Sequence, residues 1–121
     1  MTPKEKQKII LTIVEAMKRD WITIGESVYI IASAPDGHTQ RRFNPIDSTA
    51  DIFEAVDEIL AGKGYRIEMY YSTLSLTHSV RLVVFTEGKV KGKIYQSETE
   101  TRSATIALAV EQYLKEENNG E

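Results

Sequence analysis

The chain reads as an α+β domain: an antiparallel β-sheet of about five strands sandwiched between helices, in the order α-β-β-α-β-β-β-α. Three observations predict it. Apolar residues recur at helical spacing near the start, in the middle and near the end, β-rich runs fall between them, and Gly, Pro, Asn and Asp punctuate the joins. Helices packed on an antiparallel sheet then bury both kinds of apolar face. The 121 residues, 41% hydrophobic and 27% charged, suit one globular core. Residues 1–115 make that single domain and 116–121, "EENNGE", a polar frayed tail.

The first helix spans roughly Thr2 to Asp20, with Pro3 behind the N-cap Thr2 and Ile10, Ile13, Val14, Met17 and Trp21 on one face. "SVYIIAS", Ser27 to Ser33, is a strand, and "HTQRRF" beyond the turn "APDG" returns as its hairpin partner. Ser48 with Asp51 three residues on resembles a capping box. It opens a helix that buries Ile52, Ala55, Val56, Ile59 and Leu60 and stops at Gly62 or Gly64. Three strands follow, Tyr65 to Thr73, Ser79 to Thr86 and Val90 to Ser97, and then a helix from about Thr101 to Lys115. That helix carries Ile106, Ala109, Val110, Tyr113 and Leu114 inward.

Side-chain parity selects a register for the last two strands. A three-residue loop "EGK" pairs Thr86 with Val90, Val84 with Gly92 and Leu82 with Ile94. Val80, Leu82, Val84, Val90 and Ile94 then share the core face. The opposite face carries Arg81, Val83 and Phe85 beside Lys91, Lys93 and Tyr95, with Phe85 opposite Lys91 and Arg81 opposite Tyr95.

Several function classes fall away. A net charge of −3 argues against a general nucleic-acid coat. The absence of cysteine removes disulfides, thiolate catalysis and cysteine metal sites, and fits a reducing cytosol. No run approaches the roughly 18 apolar residues of a membrane span, and the charged start lacks a signal-peptide cleavage pattern. His38 and His78 both fall in expected turns, read as solvated, without metal spacing. "AGKGY" and "EGKVKGK" lack the phosphate-loop spacing, and no GxSxG, HExxH or GxGxxG is present. The carboxylates of "SETE" and "EEN" fit a solvated surface. The reading is of a non-enzyme with no cofactor and no metal.

One residue sits awkwardly. With Thr101 as N-cap, Arg102 takes the first helical position, where the macrodipole disfavours cations. A surface pair with Glu98 or Glu100 is one account. The other is an anion site in which Arg102, the hydroxyls of Thr101 and Ser103 and the first N–H groups of the helix hold one phosphate. Thr99 and the face of Phe85, Arg81 and Lys91 lie near in sequence or pairing. On that account Phe85 or Tyr95 stacks on a base, with Arg42 as a further basic contact; the alternative is that the Phe–Lys pairs are ordinary packing under a helix.

Trp21, "FNPIDSTADIFEAVDEIL" (43–60), the strand meander and "TRSATIALAVEQYL" (101–114) together resemble the small phage alpha-beta-alpha sandwich domain family. That family carries an aromatic-x-Pro, a Ser-Thr-Asp helix start and a closing helix begun by Thr. This chain departs from it by "ID" between Pro45 and Ser48 and by Ala50 before Asp51. The architecture also looks like that of the Thoeris anti-defence 1 proteins, which sequester cyclic ADP-ribose isomers, and in some members cyclic oligonucleotides, without cleaving them. The resemblance implies a sponge for a cyclic nucleotide immune signal in the host bacterial cytosol, working as a homo-oligomer (dimer or higher) with ligand at the subunit interface. A phage protein-interaction module without nucleotide ligand is the alternative, and a small phosphodiesterase or nuclease the third.

Overall fold

A computed structural model describes residues 1–86 and 92–119. The elements run α1 (Pro3–Ala16), β1 (Trp21–Ile24), β2 (Ser27–Ala34), β3 (Gly37–Arg42), α2 (Thr49–Ile59), β4 (Gly64–Ser72), β5 (Thr77–Phe85), β6 (Lys93–Thr99) and α3 (Arg102–Asn119). The mixed α+β class matches the expectation, but the layering does not. Among the described residues six strands form two antiparallel meanders, β1-β2-β3 and β4-β5-β6, in place of one sheet of about five strands. The helices lie between them: α1 packs on β2 and on α3, while α3 packs on β5, β6, α1 and α2.

This position explains the composition of α3. Ala104, Ile106, Ala107, Ala109, Val110, Tyr113 and Leu114 are all buried, a spread wider than one stripe. A helix with neighbours on several sides is apolar nearly all round, and its alanines let those neighbours approach. Against it pack Ile9, Ile10, Ile13 and Val14 of α1, Ile52, Ala55 and Val56 of α2, and Val80, Leu82 and Val84 of β5. Each large side chain so buried contributes about 1.5–3 kcal/mol.

The helix starts follow their caps. Thr2 accepts from the Glu5 N–H at 3.2 Å, and Ser48 from the Asp51 N–H at 3.2 Å. The Asp51 carboxylate, however, turns away from the capping-box position. It accepts from the Asn44 N–H at 2.8 Å and from Arg41 Nη1 at 2.8 Å. Arg41 also pairs with Glu54, and Arg19 with Glu54 and Glu58, so one ionic network ties β3 and the connection between α1 and β1 to α2. The "FNPIDSTADIF" segment is thus a fold-making connection, with Phe43 in the core and the Asn44 side chain accepting from the N–H groups of Ile46 and Asp47.

The remaining differences have local causes. α1 ends at Ala16 because Lys18 adopts a left-handed φ of 58°, and Trp21 then opens an unexpected strand instead of continuing the helix face. Gly62, at φ 79°, makes the turn after α2, while Gly64 already belongs to β4. His38 and His78 lie in β3 and β5, not in turns. The expected tail is helical through Asn119, with Glu116 held by Lys93 at 2.7 Å.

The β5–β6 register is one residue from the expected one: Val84 pairs with Lys93, Val83 with Ile94, Leu82 with Tyr95 and Arg81 with Gln96. Tyr95 therefore turns to the core (6% exposed) and Ile94 outward (52% exposed). The Tyr95 ring meets Tyr113 edge-on at 5.6 Å. Burying a large aromatic and leaving its hydroxyl on Glu116 outweighs burying one more aliphatic side chain. The "EGK" loop, Val90 and Lys91, with the Phe85–Lys91 pairing, lie outside the described residues.

Candidate ligand site at the start of the last helix

The turn from β6 into α3 is built by hydroxyls. The Thr101 N–H donates to Thr99 Oγ1 at 3.2 Å, and Thr99 Oγ1 donates to the Thr101 carbonyl at 2.8 Å. The Thr101 hydroxyl then accepts from the Ala104 N–H at 3.3 Å and so caps the helix. Beneath them Thr105 is fully buried, its hydroxyl 2.6 Å from that of Thr99 and 3.4 Å from the His78 carbonyl oxygen. The Ser97 hydroxyl donates to the Thr105 carbonyl. Ladder, turn and helix are thereby locked into one piece.

Arg102 emerges from this turn exposed to solvent, and among the described residues it makes no ion pair. Glu98 instead accepts from the Thr77 hydroxyl at 2.6 Å. Ser103 is oriented otherwise than expected: it is buried and donates to the Ile46 carbonyl at 2.6 Å, so its hydroxyl ties α3 to the loop before α2. The N–H groups of Arg102 and Ser103 precede the helical ladder and have no acceptor among the described residues.

Beside this turn lies an aromatic pair that the sequence reading did not include. Tyr71, His78 and Thr99 face one another in a single cross-strand row. The rings of Tyr71 and His78 stand 4.7 Å apart at 47°. Tyr71 is exposed and His78 half-buried. The row leads from an aromatic surface, across Thr99, to Thr101 and Arg102. An aromatic pair offers a face for a planar base, and unclaimed helix N–H groups offer donors for an anion.

The other expected site residues lie elsewhere. Phe85 pairs with Gly64, seven residues along β5 from His78 and so about 23 Å away. It borders a separate cleft with Lys63 and Glu117. Arg81 lies on the outer face of its sheet, 3.9 Å from Glu68, and lines an open cleft of about 320 Å³ with Tyr70, Ser79, Gln96 and Glu98. Arg42 ends β3 in the first sheet, beside a cavity of about 260 Å³ that Lys6 and Asp47 also line. Lys91 is outside the described residues. Thr99, Thr101 and Arg102 come together, and the expected joint pocket with Phe85 and Arg81 does not form within one chain.

Among the described residues no group of three or more His, Asp or Glu side chains is placed to hold a metal ion, and no helix is long and apolar enough to cross a membrane. Tyr71 is legible as an aromatic in "YYSTLSL", and its pairing with His78 is not, because the expected strand begins only at Ser79 and leaves His78 in a turn. The chain matches no protein-family model, no curated protein and no solved structure.

Proposed function

We propose that this protein is a non-catalytic binding protein that sequesters an anionic cyclic nucleotide, of the cyclic ADP-ribose or cyclic oligonucleotide class, as a phage-type sponge in a bacterial cytosol. The observation that carries the reading is the register of the Tyr71–His78 pair with Thr99, whose hydroxyl holds the turn that opens the helix at Arg102. The guanidinium and the first N–H groups supply charge and donors for phosphate. The aromatic pair supplies a plate for a base, a contact worth about 1–3 kcal/mol. Sequestration needs affinity for a ground state, so a site without an acid–base pair suits it. The resemblance to phage sandwich domains and to the Thoeris anti-defence 1 proteins supports the ligand class.

The test is a thermal-shift series with cyclic ADP-ribose isomers and cyclic di- and trinucleotides, followed by chromatography of the ligand recovered after denaturation. Ligand at 100 times its dissociation constant adds about 2.7 kcal/mol of apparent stability. Arg102→Ala and Tyr71→Ala are each expected to abolish the shift while leaving the ligand-free melting temperature within a degree or two, since both side chains are exposed. A shift that survives both substitutions removes this site from the reading, and a ligand returned cleaved removes the sponge.

A second reading has its own observation. Met69, Tyr70, Tyr71, Leu74 and Leu76 are all exposed around the β4–β5 hairpin tip. Such a patch suits a protein-interaction module. Under that reading no nucleotide shifts the melting temperature, and Leu74→Asp with Leu76→Asp abolishes capture of a protein partner.

A further inference from the structure

β4 is an edge of the second sheet, paired with β5 on one side only. The opposite edge, β6, is partly closed, because the Gln112 side chain donates to the Gln96 carbonyl at 2.9 Å. Among the described residues nothing comparable covers β4. An open edge displays unpaired N–H and C=O groups, and proteins commonly blunt one with lysine, proline, a bulge or brevity. β4 runs nine residues, "GYRIEMYYS", with neither lysine nor proline.

Its side chains are complementary to themselves. Tyr65, Ile67 and Met69 lie opposite Val84, Leu82 and Val80 and so share the helix-side face, while Arg66, Glu68 and Tyr70 share the outer face. Tyr65, Met69 and Tyr70 are 37%, 44% and 60% exposed. Arg66 is exposed and makes no ion pair among the described residues. Glu68 keeps one carboxylate oxygen without a hydrogen-bond partner, the Arg81 guanidinium standing 3.9 Å away.

Two copies joined edge to edge by a two-fold axis pair β4 antiparallel with itself, in a register centred on one residue. Centring on Glu68 opposes two carboxylates, and centring on Arg66 opposes two guanidiniums. Centring on Ile67 sets Arg66 against Glu68 of the second copy, and Glu68 against its Arg66. The same register sets Tyr65 against Met69, a sulfur–aromatic contact, and lays Tyr70 over Gly64 beside the Phe85 ring, two aromatics sharing the space of a residue without a side chain. We propose that β4 is a homodimerisation edge in this register, joining two three-stranded sheets into one of six strands. The proposal is independent of the nucleotide reading.

Sedimentation velocity over a concentration series, without ligand, tests it. The wild type is expected to dimerise, and Arg66→Glu or Glu68→Arg to weaken the dimer by about tenfold or more, because each sets like charges opposite one another twice. An equimolar mixture of the two variants is expected to recover the dimer, since the heterodimer opposes Glu to Arg at both positions. A wild type monomeric throughout overturns the proposal, as do single variants that dimerise like the wild type or a mixture no tighter than its components. Circular dichroism checks that each variant folds. Should Glu68→Arg fail beside Arg81, Ile67→Cys replaces it. In a chain with no other cysteine, mild oxidation is expected to link residue 67 to itself across the axis, and failure to cross-link overturns the register.

Discussion

Thr105 shows how much one hydroxyl can organise. It is buried at the junction of β5, β6 and α3, in reach of Thr99, Thr101 and His78. Thr105→Val preserves the shape and removes the hydroxyl, leaving buried polar partners unsatisfied. A loss of about 1–3 kcal/mol in urea denaturation is expected. At this scale the sequence was informative about caps and poor about distant partners. Ser48 and Thr101 were legible as helix starts from their immediate neighbours. Ser103 was not legible as a buried tie to Ile46, because that partner lies 57 residues away. Arg102 remains out of place by the macrodipole rule, and its exposure limits the cost to a few tenths of a kcal/mol.

Among the elements, the β5–β6 hairpin carries the clearest lesson. Counting aliphatic residues on a face favours Ile94 inward, whereas the fold turns Tyr95 inward and lets its hydroxyl reach Glu116. Parity was the right tool, but it treated an amphipathic aromatic as polar. The slip moves every side chain of β6 to the other face, which is why Lys93 and Tyr95 do not join Arg81, Val83 and Phe85 on the expected basic-aromatic surface. Gly92 belongs to the same geometry. A Cβ there would stand 2.6 Å from Val83 Cγ1 and 3.0 Å from the Val84 carbonyl oxygen, and the backbone oxygen cannot easily yield. Gly92→Ala is expected to destabilise by about 1–3 kcal/mol, read as a lower urea midpoint at unchanged slope.

For the whole molecule, the order of most elements was legible and their partition into two sheets was not. Periodicity reports which face of a strand is buried, and it carries no information on which strands are neighbours. The short β1, with two of its four residues exposed, left little pattern to read. The assembled core also sets the response to pH. Burial, then the hydrogen bond to Glu116, raises the Tyr95 hydroxyl above its ordinary value of 10.0. The hydrogen bond to Tyr113 raises Lys63 above 10.5. For both groups the folded pKa exceeds the unfolded one, so their contribution is complete below about pH 10 and is lost as the pH climbs past it. The melting temperature is expected to hold from neutral pH to about 10 and then to fall. Tyr95→Phe should flatten that alkaline limb; an unchanged limb would remove Tyr95 as its cause.

The placement of α3 between α1, α2 and the second sheet has a kinetic consequence. Each meander joins strands adjacent in the chain, so its pairings close short loops. The contact of α1 with α3 closes a loop of roughly ninety residues, a far larger entropic demand. Hairpins are thus expected to zip early, while the apolar faces of α1 and α2 wait for the helix that covers them. In that interval the chain would hold two formed ribbons and an unsealed middle, the state in which it would be most exposed to chaperones and proteases.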